Sequence, residues 1–308
     1  MTTSAATTPI KADTPAPATS PPRPLLTRLH LWLRLWTLKL TIRTLLSTVR
    51  FFKIKGYGTL QPTYRKTYPI GARLMNEVWI PSSWKPGQSL PLYIDIHGGG
   101  FALGDPFHDD GWCNYLAEKQ NICVVSCDYR KSPGYFFPTQ TNDLVEIITS
   151  ILDDETLPVD KSKICIGGFS AGGNLSLSVV QDKQLQGKIK GLCLWYPSTD
   201  FSDRSILPEK MLFIGAEYDV LCNEALEAAK LFAAAEQAER EDGNVEEDDR
   251  QGVESWRKGG VWWEMVKGVQ HGFNYIRKKE VGAERERERV TEMAYERAAA
   301  WLKREIYA

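Results

Sequence analysis

The sequence predicts an α/β protein, a mainly parallel central sheet covered by helices on both faces. Short apolar, β-rich runs recur near 74–80, 91–96, 122–127, 163–167, 189–195, 210–215 and 261–266. Helix-like stretches separate several of them, at 109–120, 141–152, 171–182 and 223–238. The chain then closes on "ERERERVTEMAYERAAAWLKREI", an amphipathic helix. Strands that read as continuous apolar runs are buried on both sides, which crossover helices achieve for a parallel sheet.

Each segment has its own reason. Residues 1–24 are mostly Thr, Ala, Pro and Ser without an apolar stretch, so they are expected to be a disordered tail and not a secretory signal. Residues 25–55 are apolar but punctuated by Arg28, Arg34, Lys39, Arg43 and Arg50. At 100° per residue Arg28, Lys39, Arg43 and Arg50 fall within about 60° of one another, a cationic stripe along one helix. Each Lys or Arg at a bilayer centre costs about 2.5–3.5 kcal/mol, which argues against a simple span. Two readings stay open, a cap packed on the main domain or a helix lying on an anionic membrane surface. Residues 56–308 are expected to form the main domain, with a polar, solvent-exposed loop near 239–260.

The chain's net charge is −1, so nothing global calls for a nucleic-acid partner. Residues 1–76, however, carry twelve Lys/Arg against the single acid Asp13. Several of the six cysteines, among them Cys123, Cys127, Cys165 and Cys193, lie inside apolar runs and are expected to be buried free thiols. Cys123 and Cys127 have a metal-like spacing, but no Cys/His cluster accompanies them. A reducing, cytoplasmic setting is expected, with membrane association through 25–55 left open.

The chemistry concentrates in "KICIGGFSAGGNLSLSVV", where Gly168-Phe169-Ser170-Ala171-Gly172 matches G-x-S-x-G between a strand and a helix. Such a turn displays the serine hydroxyl at the carboxyl end of a strand, and any side chain at Gly168 or Gly172 would collide with the adjoining strand or helix. The helix N-terminus beneath offers free N–H groups to a developing oxyanion. A second signal is "LPLYIDIHGGGFALGD", in which three glycines after a strand let backbone N–H groups turn toward one point. His97, which opens that run, is read as holding the loop.

A serine hydroxyl needs a base. Of His30, His97, His108 and His271, the last follows a strand-like run and is flanked by small and aromatic residues, as a loop histidine over a pocket would be. His108, in an acidic loop, is read as ordinary surface. The base in turn needs a carboxylate to orient it. Asp219, in "MLFIGAEYDVLCNEA", ends one strand and opens a helix; Asp200 is its rival and Glu217 a lesser one. Asp219 is favoured because its strand lies nearer in sequence to the histidine.

The ordered set HGGGF (97–101), "DYRKSPGYFFPTQTND" (128–143), GFSAGGN (168–174), "YPSTD" (196–200), "GAEYDVLCNEA" (215–225) and HGF (271–273) resembles the hormone-sensitive-lipase-like branch of the α/β-hydrolase fold. The resemblance runs from about residue 65 to the C-terminus. It implies Ser170 as nucleophile, Asp219 as acid, His271 as base, and the N–H groups of Gly99, Gly100 and Ala171 as oxyanion hole. It also implies hydrolysis of carboxylic esters without a cofactor. The chain departs from the pattern in two places. Only residues 201–207 separate Asp200 from "PEKMLFIG", where the family carries half of a helical cap, so the helix at 25–55 is expected to be the remaining partial cap over an open site. The charged stretch 239–260 is longer than the family's link. An open site suggests small acyl, acetate or lactone substrates; a non-catalytic ligand binder and an amide or formamide hydrolase remain as alternatives.

Overall fold

The computed structural model describes residues 24–52, 59–70, 73–199, 206–237, 246–248 and 253–308. The tail expected at 1–24 falls outside these except for Pro24, as do Asp200 and residues 53–55. Ten strands form one sheet: β1 (Tyr64–Lys66), β2 (Asn76–Trp79), β3 (Leu90–Ile96), β4 (Cys123–Cys127), β5 (Val159–Phe169), β6 (Gly191–Trp195), β7 (Lys210–Ala216), β8 (Glu246–Asp248), β9 (Val253–Lys258) and β10 (Val261–Val266). Their order across the sheet is β1-β2-β4-β3-β5-β6-β7-β10-β9-β8. From β4 to β10 all neighbours are parallel, and the pairs at the two ends are antiparallel.

Six helices accompany them: α1 (Leu25–Phe51), α2 (Asp110–Gln120), α3 (Thr139–Asp153), α4 (Ala171–Val179), α5 (Cys222–Gln237) and α6 (Val281–Trp301). The strand alternation divides the core into two layers. Leu92, Ile94, Ile164, Ile166, Leu192 and Phe213 pack with residues of α3, α4 and α5 on one face. Tyr93, Cys165, Cys193, Trp195, Leu212 and Ile214 pack with α2 and α6 on the other. Successive side chains of a strand point to opposite faces, so continuous apolar runs fill both layers. All six cysteines are free and buried, as the apolar runs predict.

Every apolar run singled out in the sequence is a strand. The loop expected at 239–260 is corrected in part: residues 246–248 and 253–258 are strands, continuing the sheet past β10. Gly259-Gly260 makes the turn, with Gly259 at a positive φ of 57°. At Gly260 a Cβ would run into the Glu209 carbonyl. A Gly-Gly pair between two alternating runs is a hairpin signal, hidden here by the charge of "VESWRKGGVWWEMV".

α1 differs from the rest. Among its described side chains none is buried, and only Lys39, Ile42 and Val49 are half-buried. No helix among the described residues is long and apolar enough to cross a membrane.

Candidate active site

Ser170 sits between the end of β5 and the start of α4, with φ 55° and ψ −116°. This left-handed backbone is strained for a residue with a side chain and persists because its surroundings hold it. The Ser170 N–H donates to the Trp195 carbonyl at 2.9 Å, tying the turn to β6. The flanking glycines are needed for contact. A Cβ on either Gly168 or Gly172 would overlap the Ile96 carbonyl at the end of β3. The helix and two strands therefore close to backbone distance around the serine.

Asp219 follows β7 and His271 follows β10, the second and third strands across the sheet from β5. His271 Nε2 lies 3.0 Å from Ser170 Oγ, and Nδ1 lies 2.5 Å from Asp219 Oδ2. The Asp219 side chain is fully shielded from solvent, whereas that of His271 is 34% exposed. Asp219 also receives the Leu221 N–H on Oδ1 at 2.9 Å. One carboxylate thus both shapes the turn into α5 and aligns the imidazole. Glu217 is turned away and accepts the Gly268 N–H at 2.7 Å.

The glycine loop borders the serine. A Cβ on Gly98 would stand 3.6 Å from Ser170 Cβ and 2.7 Å from the Phe169 carbonyl oxygen. Gly99 and Gly100 adopt φ of 117° and 60°. Among the described residues, neither of their N–H groups has an acceptor. Ala171 is the first residue of α4, where helix N–H groups lack an intrahelical partner.

His97 holds the loop, as its position suggested. It is fully buried, stacks on Tyr129 with centroids 4.4 Å apart, and places Nδ1 2.7 Å from the Gly98 carbonyl. Its Nε2 faces Asp128 at 3.3 Å. Burial, helped by the nearby Lys131 charge, pushes its pKa down, against the pull of Asp128. His108 is not the ordinary surface residue expected: its Nδ1 accepts the Asp105 N–H at 3.1 Å, and it is half-buried. His30 is exposed on α1.

A supporting network lies under the imidazole, unmarked in the sequence. The Tyr196 ring lies 4.6 Å from the His271 ring, and its hydroxyl makes a short bond to Asn274 Oδ1. Asn274 Nδ2 donates to the Tyr295 hydroxyl on α6 at 3.3 Å. Arg287 Nη1 donates to the Asn274 carbonyl at 2.9 Å. The histidine loop is thereby fastened from below. The "YP" of the matched set was the one available signal, and it does not reveal that Tyr196 faces Asn274.

A family model described as alpha/beta hydrolase fold matches residues 93–210. The chain is 39% identical over 124 residues to neutral cholesterol ester hydrolase 1 of Pongo abelii, covering 37% of this chain and 30% of that protein. It is 38% identical over 165 residues to arylacetamide deacetylase of Bos taurus, covering 49% and 40%. A solved esterase of Pyrobaculum calidifontis superposes with a TM-score of 0.66 at 22% identity, over 92% of this chain and 98% of that one. Matches to such curated relatives span less than half of their length. Residues 93–210 thus match the alpha/beta hydrolase fold family, and the chain around them shares the fold of the solved esterase.

Proposed function

We propose that this protein is a serine hydrolase of carboxylic esters working through an acyl-enzyme. The observation that carries the reading is the continuous relay Ser170 Oγ, His271 Nε2, His271 Nδ1, Asp219 Oδ2, at 3.0 and 2.5 Å. His271 takes the Ser170 proton as the hydroxyl attacks the ester carbonyl. Asp219 fixes the tautomer that leaves Nε2 free to accept, and it stabilises the imidazolium that forms. The Gly99, Gly100 and Ala171 amides receive the oxyanion. His271 then protonates the departing alcohol, and a water molecule repeats the sequence on the acyl group. Each oxyanion donor is worth about 10²–10³ in turnover.

The relatives named above act, by their names, on a cholesterol ester and on an arylacetamide, so ester and amide carbonyls are both substrates to assay. The solvent-reached imidazole and the short 201–207 link favour small acyl groups, acetate esters or lactones over long acyl chains. Ser170→Ala is expected to abolish both burst release from a chromogenic acetate ester and fluorophosphonate labelling, with turnover falling on the order of 10⁶-fold. An intact chain that neither labels nor turns over a matched ester and anilide would instead be a ligand-binding hydrolase scaffold.

A second reading concerns location. Leu25, Leu26, Leu29, Trp32, Leu33 and Leu40 of α1 all project into solvent. We infer that this outer face rests on a lipid surface. Loss of vesicle flotation on deleting residues 1–55 would support it, and unchanged flotation would remove it.

A further inference from the structure

Between α1 and the body lies a cavity of about 390 Å³ whose lining includes neither Ser170 nor His271. Lys39 and Arg43 reach it from α1, and Asp105, His108, Asp128 and Lys131 line the opposite wall. Its positive charges are poorly matched. Asp128 is engaged by Lys131, by the Tyr129 N–H at 2.8 Å and by His97. Burial raises its pKa, and the His97 and Lys131 contacts outweigh that, bringing it to about 2. Asp105 sits at the half-exposed rim and accepts the Phe107 N–H at 3.2 Å. Arg43 has no ion pair or hydrogen bond among the described residues. Lys39 donates to the neutral Ser132 carbonyl at 2.6 Å and pairs with no carboxylate among the described residues. Its pKa is lowered by burial first, then by the charges of Lys131 and Arg43. The helix itself holds no Asp or Glu to offset them.

Like charges gathered round a partly desolvated hollow raise the local potential and attract an anion. Guanidinium and ammonium groups on successive turns suit an oxyanion, the fork binding two oxygens and the ammonium a third. We propose that this cavity binds an oxyanion group, a phosphate or a carboxylate, held by Lys39 and Arg43 with Lys131 behind them. The bound group joins α1 to the loop that follows the glycine run, since Ala102, Leu103 and Gly104 line the same hollow. Two members of the cationic stripe, Lys39 and Arg43, thereby face a ligand in the hollow.

A free anion and an acidic lipid headgroup share this chemistry, and two measurements on the full chain separate them. Inorganic phosphate is titrated calorimetrically at constant ionic strength, and flotation is measured with phosphatidate-containing and pure phosphatidylcholine vesicles. Both are repeated with Lys39→Gln, Arg43→Gln and, as a charge control outside the cavity, Arg34→Gln. Phosphate binding that weakens about tenfold in the first two variants and is unchanged in the third assigns a soluble anion. Phosphatidate-dependent flotation with that same pattern, and no phosphate heat, assigns a headgroup. Binding that is absent in both assays, or equally affected by all three substitutions, or by none, overturns the site. Because these readouts are independent of ester turnover, they stand or fall apart from the serine chemistry.

Discussion

The two long helices near the ends of the chain, α1 and α6, place their apolar side chains on opposite sides of the boundary with water. α6 keeps Arg285, Glu286, Glu288 and Arg289 outward and buries Val290, Ala294, Tyr295, Ala298 and Trp301 against the sheet. α1 sends leucines and tryptophans outward and presents Lys39 and Arg43 to the body. A fully buried large apolar side chain stabilises by about 1.5–3 kcal/mol. α6 therefore contributes to the core, while α1 leaves that contribution unrealised. The difference teaches that helical periodicity shows where a face is and not what the face meets. α6 also reaches the site through Tyr295 and Arg287, whereas α1 reaches the body through the Lys39 hydrogen bond to the Ser132 carbonyl.

The contrast breaks most readily at Trp301, which is 1% exposed. Trp301→Ala is expected to lower unfolding free energy by about 3–5 kcal/mol in denaturant titration. A loss below about 1 kcal/mol would remove the distinction between the helices. Arg287→Gln comes next, because its guanidinium braces the Phe273 and Asn274 carbonyls beside His271. About tenfold lower ester turnover is expected, with KM moving less, since losing a charged hydrogen bond is worth about 1.5–3 kcal/mol.

Acid titration sharpens the same region. The hydrogen bonds from Arg287, with the Lys278 N–H and neighbouring charge, outweigh burial and hold Glu284 at about 2, below its ordinary 4.5. A carboxylate depressed in the folded state stabilises above its unfolded pKa and loses that contribution as pH falls through the folded one. Melting temperature should therefore decline between about pH 4.5 and 2, less steeply in Glu284→Gln. The smallest effect is expected at α1. Trp32, 47% exposed, should cost no more than about 0.5 kcal/mol on conversion to Ala.

Much of this was legible because buried parallel strands and a tight serine turn leave local marks. The runs around Ile94, Val125, Ile166 and Phe213 are apolar because both of their faces are covered. Gly168 and Gly172 have no alternative beside Ile96. β1, with the sequence Tyr-Arg-Lys, was invisible, since an edge strand can carry charge. β9 was missed because charged residues are interspersed in "VESWRK", although it pairs with both β10 and β8. The short bond from Tyr196 to Asn274 joins residues 78 apart and follows from tertiary packing alone. Asp219 lies beside His271, whereas the Gly268 N–H that occupies Glu217 has no mark in the sequence. The stripe angle on α1 was readable, while the turn of Lys39 and Arg43 toward the body depended on the surface beneath them.

The six shielded sulfurs give the molecule its own stopwatch. A native population offers a thiol-seeking dye nothing to attack, so colour accumulates only as quickly as molecules open. Cys113 and Cys127 lie near the middle of the packed layers and would report whole-body opening, without any engineered label. The same shielding keeps neighbouring copies from cross-linking in air for as long as they stay folded.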